Sequence, residues 1–157
     1  DPARLAPAGA ARRRGLASVS WPARFQRHDR DIVIDGAHNP HAIDALVETW
    51  RATFVDRKAR LVFGALRDKD ANALLVSLRQ IADEIWLVPV NNPRTFSAAE
   101  LRAAAEACGF PVIRESNLFE ALDSAASPPT LVTGSLFLAG EALALLGGAP
   151  KPAVSAQ

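Results

Sequence analysis

Residues 31–50 read DIVIDGAHNPHAIDALVETW, and this stretch decides the fold. Asp31–Asp35 is a short run around three β-branched residues, Ile32, Val33 and Ile34, which suits a pleated strand and is too short for a helix. Gly36 to Pro40 interrupt it, with Asn39 a good N-cap and Pro40 placed where a first helical residue needs no N–H. From there Ile43, Leu46, Val47 and Trp50 fall at i, i+3, i+4 and i+7, one face of a helix. The result is one β-α unit. Its strand is continuously apolar rather than alternating, which predicts burial on both faces, as in a parallel sheet.

The unit recurs along the chain. Further strands are predicted at Arg60–Ala65, Glu84–Val90, Pro111–Arg114 and Thr130–Thr133, separated by helical stripes. Leu101, Ala104, Ala105 and Cys108 form one stripe, and Leu118, Ala121, Leu122 and Ala125 form another. Ser97 with Glu100 spells a capping box, Asn117 with Glu120 an Asn-led relative of it, and Asp70 can cap a helix holding Leu74, Leu78 and Ile81. Gly147 follows the last apolar stripe as a stop. Five successive β-α units predict an α/β fold with a doubly wound, mostly parallel sheet flanked by helices.

Composition sets the outer limits. The 157 residues suit one domain, 49% are apolar, and the formal net charge is +1 with both signs interspersed, so no nucleic acid or membrane surface is implied as a partner. The single cysteine, Cys108, rules out an intramolecular disulfide and is expected as a buried small hydrophobe, consistent with a cytoplasmic location. There is no methionine, even at position 1, which predicts a processed chain or a fragment. Residues 1–20, with the basic run Arg12-Arg13-Arg14, are expected to be an interdomain connector, residues 21–148 the folded domain, and the Pro/Ala/Ser tail 149–157 to be disordered.

In an open parallel sheet, ligands bind beyond the carboxyl ends of the strands. Three loops there are unusual: Asp35-Gly36-Ala37-His38-Asn39-Pro40-His41, Gly64-Ala65-Leu66-Arg67-Asp68-Lys69-Asp70 and Thr133-Gly134-Ser135-Leu136-Phe137. All three belong on one edge of the sheet. Taken residue by residue, each has a bland role beside a chemical one. Arg24 suits a phosphate or a stacked adenine, or a surface ion pair. Asp35 suits a ribose, or a turn before Gly36. Lys69 matches a carboxylate, or is merely solvated, while Ser135 offers a hydroxyl or N–H to a ligand, or caps a helix. His38 and His41 lack the further ligands a structural zinc site needs.

Asp-Gly-Ala-His-Asn-Pro after an apolar strand, preceded by Trp21-Pro22-Ala23-Arg24-Phe25 and followed by Asp68-Lys69-Asp70 and Thr133-Gly134-Ser135-Leu136, resembles the folylpolyglutamate and dihydrofolate synthases of the Mur ligase superfamily. The likeness covers residues 15–146 in order, with Ala23 where the family usually has glycine. It implies a Rossmann-like Mur ligase C-terminal domain. It also implies an ATP-dependent ligase that adds L-glutamate to dihydropteroate or folates through an acyl phosphate.

By that resemblance Arg24 and Asp35 bind ATP, His38 acts near the acyl phosphate, and His38, Lys69 and Ser135 meet the glutamate. Whether His38 transfers a proton stays open. No G-x-x-x-x-G-K-[ST] occurs here, so the resemblance places the P-loop and the Mg2+ ligands in an N-terminal domain, which becomes the partner of this one. The isolated chain is then expected to be an inactive monomer. Two other readings remain: a non-catalytic nucleotide- or ligand-binding module of Rossmann-like fold, and a Mur-like ligase with another acceptor. A dinucleotide-dependent dehydrogenase is discounted, because the first strand does not lead into G-x-G-x-x-G.

Overall fold

A computed structural model of the chain describes residues 23–124 and 128–147. The expected connector, the expected tail, and Trp21, Pro22 and Ala125 lie outside these residues.

Among the described residues six strands form one sheet: β1 (Gln26–His28), β2 (Ile32–Ile34), β3 (Ala59–Phe63), β4 (Ala82–Leu87), β5 (Val112–Glu115) and β6 (Thr130–Thr133). Four α-helices connect them, α1 (Pro40–Thr53), α2 (Ala71–Leu78), α3 (Ala98–Ala107) and α4 (Leu118–Asp123), and a fifth, α5 (Leu136–Gly147), follows β6. Spatial order is β1-β2-β6-β3-β4-β5, with every neighbouring pair parallel except β1 against β2. The five strands expected from the sequence are all present, and the sheet is doubly wound and mostly parallel, as expected. β1 is an addition. It pairs antiparallel through Gln26↔Ile34 and His28↔Ile32, and three polar residues carry no apolar signal that would announce a strand.

Alternation along the strands divides the core in two. Val33, Leu61, Phe63, Ile85 and Leu131 face α1, α2 and α3, while Ile32, Ile34, Val62 and Val132 face α4 and α5. The direction of winding explains the division. α1, α2 and α3 carry the chain outward to β3, β4 and β5, and then α4 brings it back to insert β6 between β2 and β3. Right-handed crossovers put helices on opposite faces when the winding reverses.

Caps appear where the sequence places them: Asn39, Asp70, Ser97 and Asn117 each accept a hydrogen bond from a first-turn N–H, and Ser97 with Glu100 completes the capping box. Three details differ from expectation. α2 stops at Leu78, leaving Ile81 buried at the entry to β4. Cys108 is half-buried rather than buried, because it is the C-cap of α3 and sits at the edge of the core. Gly147 is the last helical residue of α5 rather than a stop beyond it. No helix among the described residues is long and apolar enough to cross a membrane.

Candidate functional site

β6 is the strand at which the winding reverses, so the loop after it leaves toward one face while the loops after β2 and β3 leave toward the other. A crevice opens on each side of it, the situation in which α/β sheets bind ligands.

The β2–β6 crevice is a cavity of about 720 Å³ whose walls include Arg24, Asp35, His38, Leu46, Leu136 and Leu143. Asp35 is buried at the end of β2. Its Oδ1 accepts the Ala37 N–H at 2.8 Å and its Oδ2 the Phe25 N–H at 2.9 Å, so one carboxylate ties the entering segment to the strand-end loop. The Gly36 N–H donates to the Ala23 carbonyl at 2.6 Å and closes the same junction. Burial pushes the Asp35 carboxyl above its ordinary value of 3.8, against the Ala37 and Phe25 N–H donors and the Arg24 charge, which all pull it down.

The β6–β3 crevice is smaller, about 160 Å³, and is lined by His38, Asp68, Lys69, Arg94, Ser135 and Phe137 among others. Lys69 Nζ lies 4.0 Å from Asp68 Oδ2 and Arg94 Nη1 lies 3.6 Å from the same oxygen, so two cations flank one carboxylate and leave a net positive wall. Arg94 had no assigned role in the sequence. It lies on the loop after β4, which is laced to the loop after β3 by Arg67 N–H to Arg94 O at 2.7 Å, Phe96 N–H to Ala65 O at 3.0 Å and the Leu66–Thr95 bridge. Asn92 Oδ1 accepts the Arg94 N–H at 2.9 Å, and that Asx-type turn in Asn91-Asn92-Pro93-Arg94 is the signal that could have pointed to it.

His38 belongs to both cavities. Its Nδ1 is 3.0 Å from the Gly36 carbonyl oxygen. A carbonyl only accepts, so Nδ1 carries the proton and Nε2 is the nitrogen left for a ligand. Leu136 is likewise shared, and Ser135, buried beside it, accepts the Phe137 and Leu138 N–H groups at 3.0 and 3.4 Å, so its oxygen caps α5. The structure thus gathers the five expected residues into two groups. Arg24 and Asp35 line the larger cavity, Lys69 and Ser135 the smaller, and His38 stands between.

A family model described as "Mur ligase, glutamate ligase domain" matches residues 23–136. The chain belongs to this Mur ligase family. It is 36% identical over 140 residues to the folylpolyglutamate synthase of Lacticaseibacillus casei, covering 87% of this chain and 32% of that protein. It is 36% identical over 97 residues to a UDP-N-acetylmuramoyl-L-alanyl-D-glutamate–2,6-diaminopimelate ligase of Corynebacterium efficiens, covering 58% of this chain and 18% of that protein. Among solved structures, the Mycobacterium tuberculosis folylpolyglutamate synthase complexed with ADP superposes with a TM-score of 0.76 at 32% identity, over 91% of this chain and 36% of that one. The chain therefore spans about a third or less of the length of the relatives it matches.

What this Mur ligase domain can hold follows from its donors and acceptors. The larger cavity pairs apolar walls at Leu46 and Leu143 with a guanidinium and a carboxylate, a set that fits a base and a ribose. Among the described residues no three His, Cys, Asp or Glu side chains converge to hold a metal ion.

Proposed function

We propose that this domain is the glutamate-binding part of an ATP-dependent ligase that joins L-glutamate to dihydropteroate or a folate in the cytoplasm. The observation that carries the reading is the placement of His38 in the wall shared by a large, partly apolar cavity and a smaller cationic one. ATP supplies the phosphoryl group that turns the acceptor carboxylate into an acyl phosphate, which the glutamate amine attacks at carbon, losing a proton and expelling phosphate.

Arg24 and Asp35 form the nucleoside side of the site. Lys69 and Arg94 hold the carboxylates of glutamate, since two cations are the electrostatic match for its side-chain and α-carboxylates. His38 stands at the junction with Nε2 left for a ligand, and there it orients the amine or steadies charge as the amide forms. The oxygen of Ser135 is engaged with α5, so Ser135 serves the glutamate pocket by fixing that helix start and offering its hydroxyl proton. In this reading the P-loop and the Mg2+ ligands come from an N-terminal partner domain, as the chain spans about a third of the relatives it matches.

The test is an assay of the full-length polypeptide carrying this domain, with ATP, glutamate and either dihydropteroate or tetrahydrofolate. ADP release that needs both glutamate and one of these acceptors is expected. Release with neither acceptor overturns the folate reading, and 2,6-diaminopimelate in place of glutamate checks the other chemistry among its relatives.

A further inference from the structure

The three residues Ala23, Arg24 and Phe25 are held at both ends. The Ala23 carbonyl accepts the Gly36 N–H at 2.6 Å and the Phe25 N–H donates to Asp35 Oδ2 at 2.9 Å, so the loop after β2 grips the backbone on either side of Arg24. Phe25 pays for this grip with a φ of 43°, a left-handed conformation that non-glycine residues keep only where their surroundings over-determine it. Two things over-determine it here. One is the Asp35 bond, and the other is the Phe25 ring, set edge-on against the buried Trp50 at 6.5 Å. Arg24 itself is exposed and lines the larger cavity.

A carboxylate meant only to receive ribose hydroxyls has no need of two backbone N–H partners in a buried position. We infer that Asp35 is a positioning residue for Arg24: it locks the Ala23–Phe25 segment so that the guanidinium stands in the wall of the larger cavity, and ligand held by Arg24 in turn holds the segment closed. This rests on the nucleoside assignment of that cavity and goes beyond it, because it makes Arg24 and Asp35 one unit rather than two independent contacts.

Coupling of this kind is reciprocal. In the 157-residue chain, hydrogen exchange of the Phe25 amide, faster than that of Leu131 in the central strand and therefore reporting local opening, should slow when ADP is added. At ADP about ten times its dissociation constant the slowing should be about tenfold, the factor by which a ligand bound only to the closed form suppresses opening. In Arg24→Ala, with unchanged far-ultraviolet circular dichroism required, the slowing should vanish at equal saturation.

In the full-length polypeptide, Arg24→Ala and Asp35→Asn should each raise KM for ATP about tenfold, with KM for glutamate unmoved, and the double variant should be no worse than the poorer single one. Additive losses in the double variant overturn the inference, as does a Phe25 amide whose exchange ADP leaves unchanged, whether ADP binds elsewhere or not at all. Failure of the full-length polypeptide to add glutamate to a folate would instead remove the substrate assignment, and the exchange measurement would still decide the positioning role.

Discussion

The Gly134 N–H donates to the carbonyl of Ala37 at 3.1 Å, joining the loop after β6 to the loop after β2 at the point where the two cavities meet. Thr133 Oγ1 reaches the same carbonyl at 3.3 Å. The junction depends on glycine: Gly134 has φ 115°, and a Cβ there would run into the backbone carbonyl of Gly64.

Gly134→Ala is therefore expected to destabilise the domain. The conformation alone costs on the order of 1–3 kcal/mol for a residue with a side chain, and the clash is with backbone that has no rotamer to yield. A lowered urea midpoint with an unchanged m-value checks it. A variant as stable as the parent would mean the loop adapts and the junction is soft.

Asp35→Asn should also destabilise, by about 1–3 kcal/mol, because an amide can accept from only one of the two N–H groups and turns a donor toward the other. Its pH dependence has a definite sign. The folded carboxyl lies above its ordinary 3.8, chiefly through burial, so the stabilisation from protonated Asp35 is complete below that value and is lost as pH rises through the folded pKa. The gap between parent and variant should narrow over that interval. A gap that widens with pH would show that the N–H donors and Arg24 outweigh burial.

How much of this was legible beforehand depends on which residues carried local signals. Runs such as Leu61-Val62-Phe63 announce strands by themselves, and Asn39, Asp70, Ser97 and Asn117 mark helix starts by a bond made within three residues. Asp35 showed both of its possible roles, but only the fold shows that its second oxygen is taken by a residue ten positions earlier. β1 was illegible because Gln26-Arg27-His28 is a strand only through its pairing with β2. Arg94 was missed for a related reason: its place beside Asp68 is set by bonds to Arg67 and Ala65 across two loops, which no periodicity encodes.

The isolated chain should unfold cooperatively and release no ADP from ATP, glutamate and dihydropteroate. Two apolar clusters enclose the sheet from both sides, while the triphosphate lacks a P-loop here. Nucleotide binding through Arg24 and the cavity wall should be no tighter than roughly millimolar, about 4 kcal/mol, by calorimetry. Turnover by this chain alone, or micromolar binding, would contradict the division of labour between domains.

The two cavities finally predict a separation of substrates in the full-length polypeptide. Lys69 and Arg94 both lie within 4.0 Å of Asp68 Oδ2 and line the smaller cavity, whereas Arg24 and Asp35 line only the larger one. Removing a cation that binds one substrate raises KM for that substrate selectively. Lys69→Ala and Arg94→Ala should therefore each raise KM for glutamate by the equivalent of about 1.5–3 kcal/mol, roughly ten- to a hundredfold or slightly more, with little change for ATP. If both cations grip one dicarboxylate, glutamine should lose its disadvantage relative to glutamate in one of the two variants, because the cation that met the side-chain carboxylate is gone. Unchanged far-ultraviolet circular dichroism is required of both variants. A rise in KM for ATP with glutamate untouched would assign the smaller cavity to the nucleotide and leave the glutamate site to be found elsewhere.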